Sequence, residues 1–184
     1  MNNRGTPIIG LGERQPAYAD LPLQWMPHIQ VADVAASVER ALALSGSELM
    51  HGKDDDGKSL WAALFDPNGA AFGIMPVVSE EEIPKPEGDA SRDSAAGAGA
   101  GSISWLDLTV SDAAATRDFY AQVVGWSVQD VERENAGERY ADYDMLGADG
   151  DPAAGVRHAR GVNLDLPPVW LLCLPVGDLA ESVD

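Results

Sequence analysis

The amino-acid sequence predicts an α+β protein built from two β-α-β-β-β modules. Residues 7–39 align without a gap with residues 152–184, with 11 identities in 33 positions, which indicates a tandem duplication. Twice in the chain, a strand-like run ends in the tripeptide Val-x-Asp and is followed by a helical segment and three further strand-like runs. The repeated order of one helix among four strands predicts the fold class.

Each predicted helix begins at an aspartate and has a glycine thirteen residues later. Asp33 and Asp112 are the predicted N-caps, because a carboxylate can accept hydrogen bonds from the free amides of the first turn. Gly46 and Gly125 are predicted to end the helices in the left-handed conformation, which costs glycine little. Phe119 falls on the apolar face of the second helix and is predicted to pack in the core.

The predicted strands fill the rest of the two modules. The first strands are residues 23–31 and 103–110. Each helix is followed by three more strands, which read SELMHG, SLWAALF and AAFGIMPV in the first module and WSVQDVE, RYADYDML and AAGVRHA in the second. The sequence DPNG at 66–69 is typical of a tight turn between two of these strands.

The chain is therefore expected to have four parts. They are a module with an extra N-terminal strand in residues 1–78, a flexible linker in 79–101, a second module in 102–160 and the start of a further, truncated module in 161–184. The last part contains the apolar strand VWLLCLPV, whose edge would need to be covered. We therefore expect a homodimer, and exchange of elements between its chains is one way to cover this edge.

Composition narrows the classes of partner. The formal net charge of -18 and the pI near 4.2 argue against nucleic-acid binding and against docking on an anionic membrane. No apolar run approaches the roughly 18 residues that a spanning helix needs. The single cysteine, Cys173, allows no intrachain disulfide. We expect a cytoplasmic protein.

The motifs of the two modules resemble those of the vicinal oxygen chelate superfamily, the group of glyoxalase I, bleomycin-resistance proteins and extradiol dioxygenases. SWLDLTVSDAAATRDFYAQVVGW resembles the opening of such a module, and DPNGAAFGIM resembles its closing turn and last strand. The resemblance covers nearly the whole chain outside the linker. It implies that the two modules pair to form an open, mixed, eight-stranded barrel whose cavity holds a divalent metal or a small ligand.

The chain departs from the metal-binding pattern of that superfamily. The resemblance places the usual metal ligands at Met26 and Trp105 on the first strands and at Gly73 on the last strand of the first module. A thioether, an indole and a glycine do not hold a hard divalent cation. We therefore expect no cofactor, with a divalent ion (Mn, Fe, Ni or Zn) as the alternative.

The candidate site residues follow from strand parity. His28 and Asp107 each lie five residues before the capping aspartate, on the same strand face as the usual ligand position. They are predicted to act as a catalytic His–Asp pair or, as the structural alternative, as a buried pair that orders the core. His158 could complete a shifted metal site with them. The predicted ligand-binding residues are Trp25, Trp105, Tyr143 and His158.

Three functions remain open at this point. The preferred one is binding of a small organic molecule in the barrel cavity without the usual metal. The alternatives are a metal-dependent lyase, isomerase or dioxygenase, and a non-catalytic scaffold module of a longer tandem protein. The identity of the ligand is not encoded in any motif, because one fold carries many reactions.

Overall fold

The computed structural model describes residues 23–78 and 103–183, together with five separate positions among residues 10–19. The linker predicted for 79–101 and most of the predicted extra N-terminal strand lie outside the described residues. No helix within the described ranges is long and apolar enough to cross a membrane.

The first module has the predicted order of elements. They are β1 (His28–Val31), α1 (Val34–Ala43), β2 (Ser47–Lys53), β3 (Ser59–Phe65) and β4 (Ala71–Pro76). The strands form one sheet in the order β1-β4-β3-β2, in which β1 runs parallel to β4 and the other pairs are antiparallel.

The second module repeats this order and continues beyond it. Its elements are β5 (Trp105–Val110), α2 (Ala113–Val124), β6 (Ser127–Asn135), β7 (Glu138–Leu146) and β8 (Pro152–His158), followed by a 3-10 turn (Gly161–Asn163), β9 (Trp170–Cys173) and α3 (Leu179–Val183). The sheet order is β6-β7-β8-β5-β9, and β5 runs parallel to β8 as β1 does to β4. Two mixed sheets with few helices confirm the α+β class.

The helix ends confirm three of the four predicted caps. Asp33 and Asp112 accept hydrogen bonds from the amides of the third residue after each, and Gly125 ends α2 at a φ of 84°. The prediction for Gly46 is wrong, because Ser45 takes the left-handed conformation with a φ of 69°. Gly46 instead donates its N–H to the carbonyl of Ala41 at 2.8 Å, which completes a Schellman motif. An added Cβ at Gly46 would lie 2.9 Å from two carbonyl oxygens, so this position needs glycine for space.

Contacts divide the chain into two compact units. The larger unit contains residues Pro22–Val77 and Leu106–Leu171, and the smaller contains Met1–Leu21, Val78–Trp105 and Leu172–Asp184. The core and the cavity described below belong to the larger unit.

The core of the larger unit is formed where the two modules meet. Phe72 of β4 packs edge-on against Phe119 and Tyr120 of α2, with ring centroids 5.9 and 5.2 Å apart. Arg40 of α1 donates to the carbonyl of Val123 in α2 at 3.3 Å. Phe119 is buried, as predicted, and these contacts join the first sheet to the helix of the second module.

A buried carboxylate lies in this core. Asp66, in the DPNG turn, accepts hydrogen bonds from the amides of Asn68 and Ala70 at 2.8 and 2.9 Å, and from the Tyr120 hydroxyl at 3.4 Å. Burial raises the pKa of Asp66 despite these hydrogen bonds, which act in the opposite direction. Burial also raises the pKa of Tyr120 well above its usual value, and the charge of Asp66 adds to that effect.

The apolar strand near the C-terminus pairs within the chain. β9 is the neighbour of β5, and the Ser104 amide donates to the carbonyl of Cys173 at 2.9 Å. Trp170 is fully buried against Tyr120 at 5.4 Å and forms an antiparallel bridge with Trp25. The edge that motivated the homodimer is thus covered on one side by β5, and the homodimer itself stays a prediction.

Candidate ligand-binding cavity

Both sheets have one buried face and one open face. In the second module, Leu108, Met145 and Val156 are fully buried on the face that packs towards α2. Alternation along each strand directs the neighbouring residues to the opposite face. We call this opposite face the second open face; it carries Asp107, Arg133, Tyr140, Asp142, Asp144 and Arg157.

A cavity of about 400 Å³ opens on the second open face. Its lining includes Asp107, Arg133, Tyr140, Asp142, Arg157, Arg160 and the turn Gly161–Asn163. The volume falls in the range of roughly 300–1,000 Å³ that is usual for small-molecule sites. Charged and aromatic side chains converge here from four adjacent strands and one turn.

One end of the cavity is lined by Asp107 and Arg157, which form an ion-paired triad with Asp144. Arg157 of β8 donates from Nε to Asp107 of β5 at 3.0 Å and from Nη2 to Asp144 of β7 at 2.7 Å. Its Nη1 donates to the carbonyl of Tyr143 at 3.3 Å. Burial lowers the pKa of Arg157, but the hydrogen bonds and charges of Asp144 and Asp107 outweigh this effect, so the pKa lies above its usual value. The guanidinium therefore stays charged at any ordinary pH.

A second set of ion pairs forms the other end. Arg133 of β6 lies with Nε 3.4 Å from Oδ2 of Asp142, and Asp142 also accepts the amide N–H of His158 at 2.9 Å. Arg160 lies 5.0 Å from the centroid of the Tyr140 ring, and its Nη1 is 3.2 Å from a Glu138 carboxylate oxygen. These contacts hold two guanidinium groups and one phenol ring beside the cavity.

Glycines on the last strands make room for the two predicted catalytic residues. Asp107 pairs in register with Gly155, and His28 pairs in register with Gly73. An added Cβ at Gly155 would collide with Oδ1 of Asp107 and with Nη2 of Arg157, and one at Gly73 would collide with the His28 ring. Each side chain thus lies across the glycine of the neighbouring strand.

His28 and Asp107 make their hydrogen bonds in different places. Asp107 binds Arg157, whereas Nδ1 of the exposed His28 lies 3.2 Å from the carbonyl of Met26. Because a carbonyl only accepts, Nδ1 is the donor in this contact. The catalytic roles predicted for these two residues stay predictions.

The open face of the first sheet is more apolar. The Trp61 indole lies against Gly52 on the neighbouring strand, and Met50 and Met75 are half-buried on the same face. We call the surface made by His28, Met50, Trp61, Ala63, Gly73 and Met75 the first open face.

The other predicted ligand-binding residues occupy varied places. Tyr143 is buried on the α2 side, with the Arg117 guanidinium 4.4 Å from its ring centroid. His158 ends β8, half-buried, with Nδ1 3.3 Å from Asp142. Trp105 begins β5 and is half-buried, and Trp25 is exposed.

Sequence reasoning did not identify Arg157, Asp144 or Arg133. The strand AAGVRHA does indicate where Arg157 lies. Arg157 follows Gly155 by two residues, so both residues lie on the same face of the strand. The partners of Arg157 depend on the register between three strands, which the sequence does not display.

The donor groups do not suit the metal site of the superfamily. Asp107 is the hard oxygen donor nearest the usual position, and its carboxylate is held by a guanidinium that would repel a cation. Gly73 and Gly155 contribute no side-chain donor where the last strands approach the first strands. Among the described residues, no group of three or more His, Cys, Asp or Glu side chains is placed to hold a metal ion.

Comparisons with known proteins agree with this fold. No protein-family model matches the chain. The anthracycline biosynthesis protein DauV of Streptomyces sp. (strain C5) is 24% identical over 168 residues, which are 89% of this chain and 53% of that protein. The Mycobacterium tuberculosis protein named "Putative glyoxylase CFP32" is 28% identical over 85 residues, 46% of this chain and 31% of that protein. The chain thus spans about half the length of DauV and less of CFP32.

A solved structure supports the fold independently. A mutant of 4-hydroxymandelate synthase from Streptomyces coelicolor superposes with a TM-score of 0.52 at 12% identity, covering 87% of this chain and 51% of that chain. An identity this low speaks for the fold alone. Together with the β-α-β-β-β order, it confirms the predicted resemblance to the vicinal oxygen chelate superfamily at the level of the fold.

Proposed function

We propose that this chain binds a small organic molecule in the cavity of the second open face, without the metal site of the superfamily's enzymes. The observation that carries the proposal is the cavity of about 400 Å³ lined by Asp107, Arg133, Tyr140 and Arg157. Hydrogen bonds hold the side chains of Asp107, Arg133 and Arg157 before a ligand arrives, which lowers the entropic cost of binding.

The comparisons support a small organic ligand. DauV is named for anthracycline biosynthesis, and 4-hydroxymandelate synthase is named for a small aromatic product. The aromatic ring of Tyr140 at the cavity offers a surface on which a planar group could stack.

The net charge of -18 and the single cysteine support a cytoplasmic protein that does not bind nucleic acid.

A thermal-shift screen tests the proposal. The panel contains aromatic, cationic, anionic, zwitterionic and neutral small molecules, and each compound that raises Tm is followed by titration calorimetry. Two variants are compared with wild type: Tyr140→Ala, which removes the ring beside the cavity, and Trp61→Ala, which removes an aromatic side chain of the first open face. We expect at least one compound class to bind wild type and to lose affinity in Tyr140→Ala alone. If no compound binds, or if Tyr140→Ala binds all of them as wild type does, the proposal is wrong.

A further inference from the structure

A glutamate, a histidine and a serine form a hydrogen-bonded chain on the first sheet. Nδ1 of His51 lies 3.0 Å from Oε2 of Glu48, and Nε2 of the same ring lies 2.8 Å from Oγ of Ser59. Because an ionised carboxylate only accepts, Nδ1 is the donor in its contact with Glu48. In the neutral ring, the Ser59 hydroxyl then donates to Nε2. None of the three residues lines the cavity of the second open face.

Two irregularities in the strand pairing bring these side chains together. Glu48 and His51 are three positions apart on β2, so a regular strand would direct them to opposite faces. The register between β2 and β3 shifts once on each side of His51. A bulge changes the direction of a side chain, and bulges are common beside active sites. The first shift places Glu48 beside the ring, and the second places Ser59 within hydrogen-bonding distance of it.

The three residues differ in their access to solvent. β2 is an edge strand of the first sheet, and the Glu48 side chain is 41% exposed. The His51 side chain is only 11% exposed, and Ser59 is half-buried. The imidazole is therefore held between its two partners, while the serine stays accessible to a small molecule.

The charges around Ser59 indicate which small molecule would react there. Lys53 is exposed and pairs in register with Ser59, so the two side chains leave the sheet on the same face. Its ammonium group can reach an oxygen that becomes negative when Ser59 attacks a carbonyl. Residues 54–56, which follow Lys53, are three aspartates that repel anions. These charges favour an uncharged carbonyl compound over an anionic one.

From this geometry we infer that Ser59 is a nucleophile towards uncharged carboxylic esters, with His51 as its general base and Glu48 as the positioning residue that orients the ring. A bond forms between Oγ of Ser59 and the acyl carbon, and the hydroxyl proton passes to Nε2 of His51. The bond to the leaving oxygen then breaks as that oxygen takes the proton. Water attacks the acyl-serine in the same way, which releases the acid and restores Ser59. This reaction goes beyond the proposed function, because it takes place on the other sheet.

Two probes test the inference on the full chain. p-Nitrophenyl acetate reports hydrolysis through the absorbance of nitrophenolate. An alkyl fluorophosphonate labels an activated serine with loss of fluoride, and peptide mass spectrometry locates the label. We expect wild type to hydrolyse the ester faster than buffer does and to carry one label, on Ser59. If wild type carries no label on Ser59, the inference is wrong, and this result does not depend on the folding of any variant.

Variants assign the roles. Ser59→Ala should abolish the label, and His51→Gln should slow labelling and ester hydrolysis at least about a hundredfold. The matched control is Ser47→Ala, which removes an exposed serine of the same strand and should react as wild type does. Equal rates in His51→Gln and wild type would overturn the role of His51 as general base.

Glu48 needs a readout that a purely structural role would not change. Glu48→Gln should lower kcat about tenfold or more, and Glu48→Asp should recover part of the loss. Nitrogen NMR of the His51 ring should show the hydrogen on Nδ1 in wild type and a mixture of the two neutral forms in Glu48→Gln. The same ring spectrum in both proteins would show that Glu48 does not orient His51.

Discussion

At three equivalent positions, the first sheet carries His28, Ala63 and Met75, and the second carries Asp107, Asp144 and Arg157. The equivalence follows from the strand registers, because Gly73 pairs with His28 and Ala63 as Gly155 pairs with Asp107 and Asp144. In the first sheet these positions give a largely apolar surface. In the second they form a triad with two ion pairs.

The two open faces show that the same order of strands and helices can carry either an apolar or a charged surface. The buried sides of both sheets use the same aliphatic and aromatic residue types, because each must pack against helices. The open faces are free of that requirement. Changes at a few positions therefore convert an apolar face into a charged cavity without altering the order of elements.

Arg157→Met should destabilise the protein most, because it places the first module's residue at the equivalent position of the second module. It leaves Asp107 and Asp144 close together without the guanidinium, and we expect a loss of about 2–4 kcal/mol in the free energy of unfolding. Urea denaturation provides the measurement. Adding Asp107→His and Asp144→Ala should recover more than half of the loss, because it completes the first module's set. A single variant within about 0.5 kcal/mol of wild type would show that the triad does not stabilise the sheet.

Alanine at the two equivalent glycines gives a smaller and asymmetric effect. Gly155→Ala should cost about 2 kcal/mol, because the new methyl group displaces Asp107 and Arg157 from their ion pair. Gly73→Ala should cost less than about 1 kcal/mol, since the exposed His28 ring can turn away. The two variants serve as controls for each other in urea denaturation. Equal costs would contradict the expectation that the His28 ring is displaced more easily than the ion pair of Asp107 and Arg157.

The buried side is probed by Asp66→Asn, whose effect depends on pH. The folded pKa of Asp66 is raised, so the folded state binds more protons than the unfolded state as pH rises from the ordinary pKa of about 4. The contribution of Asp66 to stability therefore falls as pH increases through this window and is constant above the folded pKa. We expect the stability of Asp66→Asn relative to that of wild type to increase as the pH rises from about 4 to about 7. Urea denaturation at several pH values measures it, and a pH-independent difference would contradict the assignment.

We expect divalent metal ions to bind only weakly to this chain. Wild type and His28→Ala, both purified without chelator or nickel resin, are incubated with excess Mn²⁺, Fe²⁺, Ni²⁺ or Zn²⁺ and desalted. Elemental analysis should find well under one equivalent in both, because the donors near Gly73 and Gly155 do not form a site. About one equivalent in wild type that is lost in His28→Ala would revive the metal-dependent alternative.

The order of the helices and strands and most of the helix caps could be predicted from the sequence alone. The β-α-β-β-β order, the capping roles of Asp33 and Asp112, the left-handed Gly125 and the DPNG turn follow from local chemistry. These features can be predicted from the sequence because each depends on residues within a few positions of one another. Strand alternation in the sequence also placed Asp107 on the open face.

Contacts between residues that are distant in sequence depend on the tertiary structure. Arg157 binds Asp107, which lies 50 residues away in sequence. Trp170 is buried in the core beside Tyr120, although the sequence predicts that its strand forms an exposed edge. The same holds at the end of α1. Gly46 packs closely against the carbonyl groups of Ala41 and Phe65, and Ser45 takes the left-handed conformation. Such pairings depend on the register of strands distant in sequence, and a shift of one residue would change every partner on the face.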